Sequence, residues 1–259
     1  MTGVSVIVIG LIGGPGLQKH RSVEPVLGDA FGGGLLDSLA GKAAAMVIER
    51  DDGFIAVDGT DYFGGLGEQD EWAIARAPGR VLDVGSGAGR GALAVQARGQ
   101  EVTALDTSPG AVETCRRRGV RSVYEGTLAQ AAADGLAGAF DSALLLGSNL
   151  GLIGSPENAS SFLDDLGMLL RPGGVIVGTI LDVYQTSNPA HLDYHERNRA
   201  RGRTAGHLTM RVRYENVASA WFDWLAASPA ELAELAADAG WEVVDSFPGV
   251  TYAVALRRV

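Results

Sequence analysis

Short apolar runs alternate with amphipathic stretches through the middle of the chain. Val81-Leu-Asp-Val84, Glu101–Leu105, Ser122–Glu125, Phe140–Leu146 and Val175–Leu181 read as buried strands, each short and bounded by turn residues. Between the first two runs the spacing of Leu93, Val95 and Ala97 predicts a helix. Ser108-Pro109 opens the next one, with Ser as N-cap and Pro in the first turn, and Gly119 closes it. Ser155-Pro156 opens a further helix that stops at Arg171-Pro-Gly-Gly174. Strands alternating with helices in this way predict an α/β fold: a doubly wound, mostly parallel sheet with helices on both faces.

The flanks read differently. Leu35, Leu36, Leu39, Ala43 and Met46 recur at helical spacing, predicting a helix over Leu35–Glu49 that Asp51-Asp52-Gly53 breaks. A short helix follows over Glu68–Ala75. Near the C-terminus Ser228-Pro-Ala-Glu231 is a capping box, and its helix runs to Gly240. Two strands, Trp241–Phe247 and Thr251–Arg257, joined by Pro-Gly-Val, predict a terminal antiparallel hairpin. Residues 182–227 are far too many for an ordinary connection of about 2–6 residues and are expected to form a lid-like insertion, with a helix near His191–Arg201 and a strand at Leu208–Tyr214. Val4–Ile9 reads as a strand, followed by Gly10-Leu-Ile-Gly-Gly-Pro-Gly16. That stretch imitates a phosphate loop but lacks the Lys-Ser/Thr ending and places Pro15 where a donor is needed. The expected organisation is one domain: an N-terminal extension and helical cap over 1–77, a core over 78–181, the insertion over 182–227, and the final helix and hairpin over 228–259.

Of the 259 residues, 46% are hydrophobic and 20% charged, which suits a globular domain. The single cysteine, Cys115, excludes an internal disulfide framework and a multi-cysteine zinc site, and reads as a packed small hydrophobe. A net charge of −10 disfavours attraction to nucleic acid or an anionic membrane. The apolar stretch Val4–Ile12 is well short of the ~20 residues of a spanning helix. No basic residue precedes it and no clear cleavage site follows, so a secretory leader is disfavoured and a cytoplasmic location is expected. Only two of the 21 basic residues, Lys19 and Lys42, are lysines, which with the abundance of Gly and Ala suggests a GC-rich bacterial genome.

The chemistry concentrates in Val81-Leu-Asp-Val-Gly-Ser-Gly-Ala-Gly-Arg90. Gly85, Gly87 and Gly89 permit a sharp turn and close approach of the backbone to a ligand, and the helix that follows offers free N–H groups. Asp106 ends the second strand, where a carboxylate can accept from ribose hydroxyls. The register argues against a nicotinamide dinucleotide site: counting from Gly85, Arg90 falls where Gly or Ala should pack the helix on the sheet.

Asp83-x-Gly85-x-Gly87-x-Gly89, Asp106 after a second strand, Phe140-Asp141 and Leu170-Arg-Pro-Gly-Gly174 together resemble class I S-adenosylmethionine-dependent methyltransferases. The resemblance covers 62–181 by motif and 228–258 by topology. It implies a seven-stranded Rossmann-like sheet whose last strand is antiparallel, S-adenosyl-L-methionine as cofactor, and an enzyme that methylates a small molecule, with bacterial secondary metabolism as an analogous setting. It also implies contacts. Gly85 and Gly87 face the methionine portion, with Ser86 in the same loop. Asp83 positions the amino group, Asp106 binds the ribose and Thr107 lies beside the adenine. Gly126, Thr127 and Leu128 follow strand three, with Thr127 Oγ1 replacing the Asp that the family often has there. Gly147 and Asn149 line the floor. Tyr62 and Phe63 either cover the cofactor or pack in the core. Two rival readings remain: an RNA methyltransferase, and a protein of this fold that binds only or catalyses a non-methylating cyclisation or elimination.

Methyl transfer needs a positioned nucleophile and, for a weakly acidic one, a base. His191 and His195, four apart, fall on one face of the predicted lid helix. They read as catalytic or substrate-binding residues, as solvated or structural histidines, or as a metal pair; Leu192 replaces the Glu of the metalloprotease motif and no metal is expected. Asp182 and Tyr184 follow strand five, where a doubly wound sheet opens its crevice, and are alternative catalytic candidates. Arg197, Arg199, Arg201, Arg203, Arg211 and Arg213 read as a site for an acidic substrate group or as a solvated lid face. Trp221 and Trp224 wall a pocket or anchor the lid.

Overall fold

The computed structural model describes residues 24–259; the expected strand Val4–Ile9 and the glycine run 10–16 lie outside them. The core is a seven-stranded sheet in the order β12-β13-β8-β7-β4-β5-β6. Its strands are β4 (Val81–Val84), β5 (Val102–Asp106), β6 (Val123–Glu125), β7 (Phe140–Leu145), β8 (Leu170–Leu181), β12 (Trp241–Phe247) and β13 (Thr251–Arg258). The pairs β4–β5, β5–β6, β4–β7 and β7–β8 are parallel. The terminal hairpin joins as an antiparallel pair, β13 lying between β8 and β12. The doubly wound expectation is borne out. β8 starts five residues before the predicted strand because Leu170 pairs with Phe140 ahead of a register shift.

Helices α3 (Arg90–Ala97), α4 (Pro109–Arg117), α5 (Leu128–Ala131), α6 (Ala159–Leu169) and α8 (Pro229–Asp238) cover the sheet. Their starts follow the sequence signals: Ser108 Oγ accepts from the Ala111 N–H, and Ser228 with Glu231 forms the full capping box. Separate apolar clusters fill the two faces. One runs from Leu82 through Leu163 to Leu256 and the other from Val81 through Val95 to Val177. Among the described residues no helix is long and apolar enough to cross a membrane.

The N-terminal cap is not the helical one expected. The helix predicted over Leu35–Glu49 is two elements: α1 (Ala30–Leu39), then β2 (Val47–Arg50). Asp29 caps α1 by accepting from Gly32 N–H at 2.8 Å, which starts the helix five residues early. Gly41, at φ +79°, ends it. β2 then pairs with β3 (Ile55–Val57) and, across a long sequence gap, with β9 (His207–Tyr214). With β1 (Val26–Leu27), β10 (Val217–Ala218) and β11 (Phe222–Leu225) these strands form a second, six-stranded sheet. The predicted lid helix is α7 (Pro189–Ala200), and a short α2 (Glu68–Ile74) leads into the core. Cap and insertion therefore build one roof over the carboxyl ends of the parallel strands.

Candidate active site

From β4 the chain winds outward through β5 and β6, then crosses back to β7 on the other side. The loop after β4 therefore sits at the switch point, where open parallel sheets bind ligands. Gly85, Gly87 and Gly89 all have positive φ there, at +66°, +54° and +77°, a region other residues enter only at a cost. The loop edges a cleft walled by Asp83, Ser86, Arg90, Leu146 and Asn149 among others. A Cβ on Gly85 would sit 2.7 Å from Asn149 Nδ2. That amide donates to the carbonyls of Val84 and Gly85 at 3.1 and 2.7 Å, fixing the loop from below.

The two carboxylates behave differently. Asp83 accepts from the Ala92 N–H at 2.8 Å. Burial pushes its carboxyl up to about 7, against the lowering pull of that bond. Asp106 accepts from Gly87 N–H at 2.8 Å and Ser108 N–H at 2.9 Å, so it ties the glycine loop to the start of α4. Burial raises its carboxyl too.

Over the loop stand two aromatic rings. Phe31, from α1, meets Tyr62 edge to face with centroids 5.3 Å apart. A Cβ on Gly87 would lie 3.6 Å from Phe31 and 4.0 Å from Tyr62, so both rings roof this glycine. Tyr62 is held by its hydroxyl, which donates to Asp58 at 2.7 Å, while Thr60 donates to the other Asp58 oxygen at 2.6 Å. Burial, then the Asp58 charge, pushes the Tyr62 phenol well above its usual range. Arg90 lines the cleft, paired with Asp70 at 3.0 Å and donating to Gly65 O at 2.9 Å.

Of the expected cofactor contacts, Tyr62, Asp83, Gly85, Ser86, Gly87, Gly147 and Asn149 line this cleft. Asp106 stands directly behind it through its bond to Gly87. Gly89 does not: a Cβ there would meet Cys115 Sγ at 2.9 Å, so this glycine lets α3 pack on α4. Phe63 lies under the Arg118 guanidinium instead of over the loop. Gly126 donates its N–H to Asp106 O, but Thr127 is the N-cap of α5, its Oγ1 accepting from Gln130 N–H, and Leu128 packs in the core. The Thr127 hydroxyl proposed for the adenine is thus already engaged by a capping box. Thr107 is exposed beside Asp106.

At the carboxyl end of β8, the strand next to β7, lies a second, smaller chamber. His191, His195 and Asp182 all face it, as their spacing and position predicted. Burial, with Arg50 and His195 nearby, lowers the His191 imidazole to about 4; burial and then Arg199 lower His195. Tyr184 stands at the rim, 44% exposed, with its hydroxyl donating to Glu231 at 2.6 Å. The arginines of the insertion are largely paired within the fold. Arg197 meets Asp52, Arg201 meets Asp51, and Arg211 and Arg213 meet Glu49. Trp224 is buried against Gly151 and anchors the roof, whereas Trp221 is exposed beneath Arg211.

Phe31, Thr60 and Arg50 are among the wall residues that the sequence did not single out. Phe31 lay upstream of the predicted helix. Thr60 gave no signal. Arg50 lay just past the end of the predicted helix, yet it is 2% exposed and walls the second chamber.

Residues 81–174 match the family model of a methyltransferase domain. A SAM-dependent methyltransferase from Bacteroides fragilis, solved with S-adenosyl-L-homocysteine, is 28% identical at a TM-score of 0.76; the match covers 92% of this chain and all 100% of that one. The CcbJ methyltransferase from Streptomyces caelestis is 17% identical at 0.57, covering 76% and 92%. The 1,6-didemethyltoxoflavin-N1-methyltransferase of Burkholderia thailandensis is 23% identical at 0.50, covering 74% and 79%. These last two share the fold. No curated protein matches the sequence. Motif, sheet order and matched domain agree: residues 81–174 are a methyltransferase domain, and the chain is similar over 92% of its length to an S-adenosylmethionine-dependent methyltransferase.

Proposed function

We propose that the protein transfers a methyl group from S-adenosylmethionine to a small-molecule acceptor held under the roof formed by 28–57 and 182–227. The observation that carries this reading is the glycine cleft. Its backbone curves at three positive-φ glycines, a buried carboxylate stands at the end of each of the first two strands, and aromatic faces roof it. This donor set fits the cofactor. Asp83 faces its ammonium, Asp106 accepts from its ribose hydroxyls, Arg90, while paired with Asp70, brings positive charge to the cleft wall beside its carboxylate, and the Phe31 and Tyr62 rings suit a sulfonium. When bound, the cofactor supplies an electrophilic methyl carbon. The chain's own work is to align the acceptor and exclude water.

Small acceptors are favoured by the roof that cap and insertion build over the strand ends. A tailoring step in bacterial secondary metabolism is the setting we propose, on the strength of the composition and the lid.

Calorimetry with S-adenosylmethionine and its demethylated product tests the reading, and both should bind. Asp106→Ala removes an acceptor of charge-assisted bonds worth roughly 1.5–3 kcal/mol each, so both affinities should fall at least about tenfold. Wild-type protein that binds neither ligand at millimolar concentration overturns the proposal.

A further inference from the structure

Two side chains of the glycine cleft donate their hydroxyl hydrogens to one buried carboxylate. Asp58, the residue after β3, is 9% exposed, and its backbone N–H donates to the Met46 carbonyl at 2.8 Å. The segment Asp58-Gly-Thr-Asp-Tyr62 then folds back onto it. Asp58 Oδ1 accepts from the Thr60 N–H at 3.0 Å and from the Thr60 hydroxyl at 2.6 Å, and Oδ2 accepts from the Tyr62 hydroxyl at 2.7 Å. Thr60 and Tyr62 both line the cleft, and Phe31 packs on the same tyrosine ring at 5.3 Å.

The result is a stretch of wall that can only accept. A hydroxyl has a single hydrogen. With both hydrogens committed to Asp58, Thr60 and Tyr62 present to a ligand only oxygen lone pairs and an aromatic ring. Donation to a carboxylate polarises each hydroxyl and makes the ring richer in electrons. The carboxylate itself stands one hydrogen bond behind this surface, where its charge is screened less than in water.

We propose that Asp58 is a positioning residue that makes the roof of the cleft read the charge on the cofactor's sulfur, favouring the sulfonium donor over the neutral thioether left after transfer. The inference rests on the methyl-transfer reading. A sulfonium spreads positive charge over its carbons, so it gains from an electron-rich surface and from the carboxylate behind it. The thioether has no such charge, and the same wall offers it only packing. Asp83 and Asp106 cannot make the distinction, because the ammonium and the ribose are identical in donor and product. Transfer thus removes the interaction that Asp58 supports, and fresh donor displaces the used cofactor.

The test is calorimetry on the full chain with three ligands: S-adenosylmethionine, S-adenosylhomocysteine and sinefungin, in which an amine-bearing carbon replaces the sulfonium. All three share their amino-acid and nucleoside ends, so contacts there cancel in the affinity ratios. Wild type should hold both cations more tightly than the thioether. Asp58→Asn keeps the shape of the side chain and removes its charge. It should weaken the two cationic ligands about tenfold and the thioether by less than about twofold. Tyr62→Phe keeps the ring and cuts its link to Asp58, and should lower the cation-to-thioether ratios about threefold. The proposal is overturned by a wild type without the preference, by no loss or an equal loss for all three ligands in Asp58→Asn, or by unchanged ratios in Tyr62→Phe. Should Asp58→Asn fail to fold, the wild-type and Tyr62→Phe ratios decide. Wild type that binds none of the ligands at millimolar concentration overturns the methyl-transfer reading and this inference with it. Binding of all three with a uniform loss in Asp58→Asn overturns this inference alone.

Discussion

Asp29 and Ser108, one at the head of α1 and the other at the head of α4, are joined by a hydrogen bond: the Ser108 hydroxyl donates to the Asp29 carboxylate at 2.9 Å. The same carboxylate accepts from Gly110 N–H at 2.9 Å and caps α1 through Gly32 N–H. One side chain thus starts the helix bearing Phe31 and fastens it beside Asp106. Loss of a cap costs about 1 kcal/mol and a hydrogen bond to a charged group about 1.5–3. Asp29→Ala should lower the unfolding free energy by about 1–3 kcal/mol in urea titrations. It should also speed release of the demethylated cofactor in stopped-flow measurements, because Phe31 loses its anchor. Unchanged stability and release would show that α1 is held by its apolar face alone.

The helices joined by Asp29 touch where neither has a side chain. A Cβ added to Gly110 would lie 2.5 Å from the Gly32 backbone, and one added to Gly32 would lie 2.6 Å from the Gly110 Cα. Rigid backbone cannot yield as a flexible side chain does, and overpacking of this kind costs about 1–3 kcal/mol. Gly110→Ala should therefore lower the thermal midpoint, although alanine is otherwise the better helix former. A rise in the midpoint would mean that the two helices separate freely.

With the cofactor's ammonium at Asp83, as proposed, cofactor affinity should depend on pH. Burial raises its folded carboxyl to about 7, whereas an unfolded aspartate releases its proton near 3.9. Between those values the folded state binds the extra proton, so the stability this group contributes is lost as pH rises through about 7. A bound ammonium favours the ionised form. Binding below about pH 7 should therefore release a proton, and affinity should strengthen as pH rises. Calorimetry at a pH about one unit below that value, in two buffers of different ionisation enthalpy, measures the proton directly. Asp83→Asn should abolish the release. Identical heats in both buffers for wild type would place the ammonium away from Asp83.

Asp52 is the counter-charge of the roof, holding both Arg50 and Arg197. Burial pushes its carboxyl up, but the Arg50 bond and charge, with the Phe54 N–H, more than reverse this and leave it lowered. Its contribution to stability is therefore full above the unfolded value near 3.9 and disappears as pH falls through the lower folded one. Asp52→Ala leaves a buried guanidinium uncompensated, at a cost of about 3–5 kcal/mol. Urea unfolding should show that loss at neutral pH and less of it in acid. An equal loss at every pH would assign the effect to packing.

The core was legible because its signals are local. The glycine loop, the Ser-Pro caps at Ser108 and Ser228 and the unbroken apolar strands each encode an element without help from distant residues. Most of the predicted cleft wall came with them. The roof was not legible, because β2 becomes a strand only through pairing with β9, far along the chain. Leu35–Glu49 therefore read as one helix, although Gly41 already marked its end. Arg50 was lost for the same reason. Its burial depends on Tyr194 and Ala190 arriving from the insertion, and an arginine beside Asp51 and Asp52 reads as surface.

The roof's construction separates two kinds of inheritance. The matched domain, 81–174, carries the loop, both strand-end aspartates and the floor. Arg50, Asp182, His191 and His195 all fall outside it, on two segments that pair with each other through β2 and β9. Two chains could share every residue of the donor half and still act on unrelated acceptors. Conversely, moving this chain's acceptor preference onto another core would require grafting two distant stretches together, since neither 28–57 nor 182–227 completes the second sheet alone.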